Sequence, residues 1–135
     1  MILWQTKHSD SKSSRRTGFF IPMTSIWWNI VEGEVGIYAD HIPMTQIIAP
    51  GRLIITERNE EKQAALLSGF VEITPEKMTI LAEAVEWPQN IDVNRAKEAK
   101  TRAERRLSSE QGGVDIGRAE LALKRAITRL DVAGK

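Results

Sequence analysis

The 135-residue sequence predicts an α+β chain, an N-terminal all-β sandwich followed by a C-terminal antiparallel two-helix hairpin. Three observations predict it. Short apolar segments with turn residues between them fill residues 31–85, two alanine-rich helical periods fill residues 90–132, and Gly112-Gly113 separates the two helices. Trp87-Pro88 interrupts the strand pattern, since the residue before proline is driven toward extended backbone. The division therefore falls between residues 1–87 and 88–135.

The strands follow from alternation. Val35-Gly36-Ile37-Tyr38 is the first clear segment, and Pro43 and Pro50-Gly51 punctuate the residues after it. Residues 52–56 alternate, residues 57–62 form a charged reversal, and residues 63–68 return as the second arm of a hairpin. Residues 70–74 run into Pro75-Glu76-Lys77 and come back through residues 78–82. Several short strands at this spacing suggest a sandwich whose Met, Leu and Ile residues form the core. Residues 1–31 are less coherent, with a polar, Ser-rich basic stretch over 8–17 and an apolar one over 19–31 that contains Trp27-Trp28. Their order does not suit a secretory signal, although the basic, Ser-rich composition has something of a transit peptide.

At 100° per residue, Ala96, Ala99, Ala103 and Leu107 form one helical stripe, and Ala119, Ala122, Leu123, Ala126 and Leu130 form another. Glycine ends helices and reverses chains, so the stripes should face each other as a hairpin. Alanine on the contact line lets the backbones approach closely. Arg95, Arg102 and Arg106 flank the first stripe, and Arg118, Arg125 and Arg129 the same side of the second. Antiparallel packing should bring these six guanidinium groups to one face, with Arg95 near Arg129 and Arg102 near Arg125. Such a cluster suits a polyphosphate or a carboxylate-rich partner. Glu98, Glu104 and Glu120 are interleaved, so an ordinary solvated flank is the alternative.

The charge distribution concentrates basic character in the hairpin. Formal net charge is only +1, yet residues 1–89 carry 8 Lys and Arg against 11 Asp and Glu, and residues 90–135 carry 11 against 7. There is no cysteine, and the two histidines, His8 and His41, are too few to suggest a metal site. No apolar run reaches the roughly 18–20 residues of a membrane span. Glu83 and Glu86, or Asp40 beside His41, lack the nucleophile, metal set or phosphate loop of an enzyme. An RNA-gripping hairpin would want aromatic residues for stacking, and this one has none. Neither catalytic residues nor a nucleic-acid partner are expected.

The chain resembles the epsilon subunit of bacterial rotary ATP synthases. The residues that carry the resemblance are Glu32-Gly33-Glu34-Val35-Gly36-Ile37-Tyr38, Asp40-His41-Ile42-Pro43-Met44, Pro50-Gly51, Ser68-Gly69-Phe70-Val71-Glu72-Ile73 and Met78-Thr79-Ile80-Leu81-Ala82-Glu83. The hairpin contributes Ile91-Asp92-Val93-Asn94-Arg95-Ala96, Arg102-Ala103-Glu104 and Arg118-Ala119-Glu120-Leu121-Ala122-Leu123. Residues 1–31 have the length of the family's two opening strands but not their text, so they are expected to follow strand paths. Ala39-Asp40 also replaces the family's usual Pro-Gly before the histidine.

The resemblance implies a non-catalytic rotor subunit of a proton- or sodium-coupled ATP synthase. It would bind the gamma subunit and the c-ring on the cytoplasmic face of the cell membrane, reaching the membrane only through the complex. The Glu34 and Asp40-His41 region would meet the c-ring. The hairpin would regulate hydrolysis, lying folded on the sandwich or extending along gamma toward the alpha/beta head. Some members bind ATP on the folded hairpin through an Ile-Asp-x-x-Arg-Ala motif and later arginines. That maps an ATP site, with or without Mg, onto Glu86, Ile91, Asp92, Arg95, Ala96, Arg102, Arg125 and Arg129. Asp92 is expected to cap its helix, and Ile91 and Ala96 to wall the adenine. A purely structural stalk subunit without nucleotide binding is the alternative.

Overall fold

Alternating burial is what makes the first half a sandwich. The computed structural model describes residues 2–4, 25–30, 33–38, 42–57, 60–74, 77–109 and 115–134. Among these the strands are β1 (Ile2–Trp4), β2 (Ser25–Ile30), β3 (Gly33–Tyr38), β4 (Met44–Ile48), β5 (Gly51–Glu57), β6 (Glu60–Ile73) and β7 (Met78–Glu86). All pairings are antiparallel, in the order β1-β7-β6-β5-β2-β3, with β4 alongside β6. Ile26, Trp28, Leu53, Ile55, Leu66 and Ile80 are all at most 1% exposed and belong to one core. The two strands β1 and β2 lie within residues 1–31, where strand paths were expected. The segment between Pro43 and Pro50 is also a strand, β4.

The expected hairpins are present. Residues 51–57 pair with 60–66, and residues 69–73 with 78–82. Residues 63–68 and 70–74, read as separate strands, are corrected to parts of one strand of 14 residues, β6. Its pairing with β7 runs in a single register from Ala65↔Glu86 to Ile73↔Met78. The inward set nonetheless changes from Ala64 and Leu66 to Val71 and Ile73. The change spans Ser68, at φ 52°, and Gly69, at φ 151°. A Cβ at Gly69 would lie 2.2 Å from the Leu81 carbonyl oxygen, so close backbone approach requires glycine there.

A 3-10 turn, Pro88–Asn90, leads from β7 into α1 (Val93–Ser108), and α2 (Ile116–Val132) follows. Both helices begin with an aspartate cap. Asp92 Oδ1 accepts from the Arg95 N–H and Asp115 Oδ1 from the Arg118 N–H, each at 3.0 Å. The alanine stripes meet as expected, with Ala96, Ala103, Ala119 and Ala126 all at most 3% exposed. Gly112-Gly113, Asp40 and His41 lie outside the described residues.

The hairpin rests on the sandwich through α2, which packs against β5 and β6. The apolar part of that seam is small. Ala65, on the outer face of β6, meets Ile91 and Val132, with Ala133 at the edge. Ion pairs join α2 to β5 and β7 around it.

Candidate functional site

The site forms where the end of β7 meets the first turns of α1 and the last turns of α2. There a cavity of about 470 Å³ is lined by Glu86, Asn90, Asp92, Arg95, Ala96, Ala99, Arg102 and Arg129. Its volume lies within the roughly 300–1,000 Å³ of small-molecule sites. Each lining residue has a local reason for its place. The 3-10 turn aims Asn90 and Asp92 at the start of α1, and the cap on Arg95 fixes the first helical turn. Arg95, Ala99 and Arg102 then recur at helical spacing, with Ala96 beside them. Arg129 arrives from α2, three residues before the chain leaves the helix.

The electrostatics are asymmetric. Arg129 donates from Nε to Glu86 Oε2 at 2.9 Å and from Nη2 to Glu86 Oε1 at 2.7 Å, a bidentate pair. Side-chain exposure is only 27% for Glu86 and 28% for Arg129. These hydrogen bonds hold the Glu86 carboxyl below its ordinary pKa. Partial burial opposes them, while the charges of Arg129 and Arg95 assist. The same hydrogen bonds raise the pKa of Arg129. Among the described residues Arg102 pairs with Glu98, one turn back at 3.6 Å, with both side chains mostly exposed. Such contacts are worth little, so Arg102 and Arg95 are the cavity's most available cations.

The predicted set is therefore only partly gathered. Glu86, Asp92, Arg95, Ala96, Arg102 and Arg129 all line the cavity. Ile91 does not. It is 8% exposed and packs with Ala65 and Val132, because its side of the turn faces the sheet. Arg125 also lies elsewhere, hydrogen-bonded through Nη2 to Glu83 Oε2 on β7. Of the six guanidinium groups expected on one face of the hairpin, three line the cavity; Arg106 and Arg118 are exposed and do not line it. Arg125 is withdrawn because β7 offers it a carboxylate. The helical wheel treats a hairpin in isolation and cannot register a strand beside it.

Two lining residues were not in the predicted set. Ala99, expected as helix contact, lies beside Ala96 on the cavity side of α1. Asn90 carried no signal beyond its neighbourhood with Asp92. Glu34 lies exposed on β3, opposite Asn29. Among the described residues, no group of His, Cys, Asp and Glu is arranged to hold a metal ion.

Known proteins agree with this two-part architecture. The family profile described as ATP synthase, Delta/Epsilon chain, beta-sandwich domain matches residues 14–88. The profile of the long alpha-helix domain of the same chain matches residues 89–134. This chain belongs to the ATP synthase delta/epsilon family. Among its relatives, the ATP synthase epsilon chain of Shouchella clausii is 54% identical over 103 residues, 76% of each chain. That of Alkalihalophilus pseudofirmus is 56% identical over 106 residues, covering 78% of this chain and 80% of its own. A chain in the Euglena gracilis mitochondrial ATP synthase has the same fold, with a TM-score of 0.75 at 22% identity, covering 98% of this chain and 80% of that one. A central stalk/c-ring structure of the Tetrahymena thermophila mitochondrial enzyme gives a TM-score of 0.57 at 11% identity, covering 82% of each chain.

Proposed function

We propose that this chain is a non-catalytic central-stalk subunit of an ATP synthase whose folded hairpin senses ATP. The observation that supports the sensor is the cavity between strand end and hairpin, with Arg95 and Arg102 on one helix and Arg129 on the other. A triphosphate bridging the two helices would offset the repulsion among these groups and favour the folded arrangement. Ala96 and Ala99 leave room for a flat base beside the phosphates. Extension of the hairpin toward gamma and the alpha/beta head, with inhibition of hydrolysis, would then follow a fall in ATP. Calorimetric titration of ATP into the isolated chain, beside an Asp92→Ala/Arg95→Ala double variant, tests this. Saturable binding lost in the variant is expected. No heat at millimolar ATP would leave a mechanical hairpin.

The stalk position is supported by the family and by an exposed apolar row on the sandwich. Ile47 on β4 is paired with Phe70 on β6, which is paired with Leu81 on β7. Ile47 is 72% and Phe70 43% exposed, a surface suited to the gamma subunit. Glu34, exposed on β3, is assigned to the c-ring together with Asp40 and His41, which lie outside the described residues. Among the described residues no helix is long and apolar enough to cross a membrane. Co-purification with gamma, lost on Ile47→Asp, tests the first contact, and cross-linking from Glu34 to the c-ring tests the second.

One observation favours the structural alternative, a stalk subunit that binds no nucleotide. Arg125 and Arg129 are already neutralised by Glu83 and Glu86, so the hairpin is held folded by the protein's own carboxylates. The same titration separates the two readings.

A further inference from the structure

The last turns of α2 lie across three neighbouring strands, and the charges that meet there change sign from one side to the other. Arg52 on β5, Ala65 on β6 and Glu86 on β7 are direct cross-strand partners, so they form one row on the face that carries the hairpin. Across that row the sheet offers a cation, a methyl group and an anion. The helix answers in the opposite order. Asp131 Oδ2 lies 3.5 Å from Arg52 Nε, Val132 packs on Ala65, and Arg129 pairs with Glu86. Arg129 and Asp131 are about 200° apart around the helix, so they fall on opposite flanks of α2. Neither Arg52 nor Asp131 lines the cavity.

Asp131 is the member of this seam that helix formation does not explain. It stands in the last turn of α2, where the carbonyl end of the helix dipole disfavours an acid. Contact with β5 gives it a use. A helix turned about its axis to exchange its flanks would set Asp131 toward Glu86 and Arg129 toward Arg52, so both ends of the row would repel. We propose that Arg52 and Asp131 form an orientation clasp, which selects this setting of α2 on the sheet and holds the hairpin docked with no ligand in the cavity. The side chains are 44% and 59% exposed, so the correct setting gains only modestly. Discrimination comes from the two repulsions that the wrong setting creates. The clasp does not depend on the ATP reading, and its test contains no nucleotide.

The chain has no cysteine, so cysteines introduced at exposed positions of α2 and β4 can carry a fluorescence-transfer pair in the full chain. At fixed salt, urea kept below the unfolding of the sandwich brings docking into measurable range. Arg52→Glu and Asp131→Arg should each lower the docking equilibrium constant about two- to fivefold, the range of an exposed ion pair. Arg52→Glu/Asp131→Arg should restore it, because the exchange re-forms the pair with its polarity inverted. Circular dichroism should show equal or higher helix content in Asp131→Arg, since a cation suits that end of the helix. Docking in the double variant no better than in the weaker single variant overturns the clasp. Equal docking in all four proteins overturns it as well. So does a loss of helix content in step with docking in Asp131→Arg, since fraying of the last turn would then be the cause.

Discussion

Arg129 and Glu86, 43 residues apart in the chain, meet through two hydrogen bonds of 2.9 and 2.7 Å. That contact joins the end of α2 to the end of β7 and makes hairpin docking depend on pH. The folded-state pKa of Glu86 is lowered from the ordinary 4.5. Between the folded and unfolded values the unfolded state binds more protons, so this contribution is complete above about pH 4.5 and is lost as pH falls through the lowered folded value. Hairpin docking measured by fluorescence transfer between labels on α2 and β5 should hold at neutral pH and weaken below that range. Glu86→Gln should flatten the profile, and an unchanged acid profile in that variant would assign the transition to other groups.

Salt should act in the same direction. Besides Glu86–Arg129, the seam holds Arg125 with Glu83, and Arg52 with Asp131 at 3.5 Å. The Debye length shrinks to about 3 Å at 1 M salt, so partly exposed pairs are screened. Proteolysis of the hairpin should accelerate with salt while the sandwich resists. Ala65→Glu should have a larger effect, because it places an unpaired charge against Ile91 and Val132 where Ala65 is 0% exposed. Equal protection of the hairpin in that variant would mean the apolar patch does not hold it.

Gly69→Ala should destabilise the sandwich by about 2 kcal/mol or more, through φ strain and overpacking. The new methyl would lie 2.2 Å from the Leu81 carbonyl oxygen and 2.8 Å from the Ala82 Cα, both backbone atoms with little room to move. Urea denaturation monitored by tryptophan fluorescence reads the loss directly. A midpoint equal to that of the unmodified chain would show that the close approach of β6 and β7 can relax.

What could be read in the sequence was whatever depends on local period. The hairpin, its alanine seam, the Asp92 cap and the β5–β6 and β6–β7 turns all follow from spacing within one or two elements. The continuity of β6 did not, because Ser68-Gly69 looks like punctuation and only the pairing of Gly69 with Ala82 reveals a strand passing through. The same limit applies to the cavity. Six arginines share one flank by periodicity, but Arg125 turns to Glu83 and Arg129 to Glu86 because β7 lies beside α2. Ile91 is drawn into the seam by Ala65 and Val132, a contact between distant segments that no wheel contains.

Asp92 provides a final test, since it lines the cavity and caps α1 at once. Its Oδ1 accepts from the Arg95 N–H at 3.0 Å, so the cap fixes the backbone from which Arg95 reaches the cavity. A carboxylate facing phosphate would repel it, which makes the cap the more effective role. Asp92→Ala should therefore cost about 1 kcal/mol of stability and weaken ATP binding through the position of Arg95. Asp92→Asn keeps a capping oxygen and removes the charge, so it should restore both stability and affinity. Thermal melts and ATP titrations of the two variants give the comparison. If Asp92→Asn melts like the unmodified chain but binds ATP as poorly as Asp92→Ala, the carboxylate charge itself contacts the nucleotide and the cap is secondary.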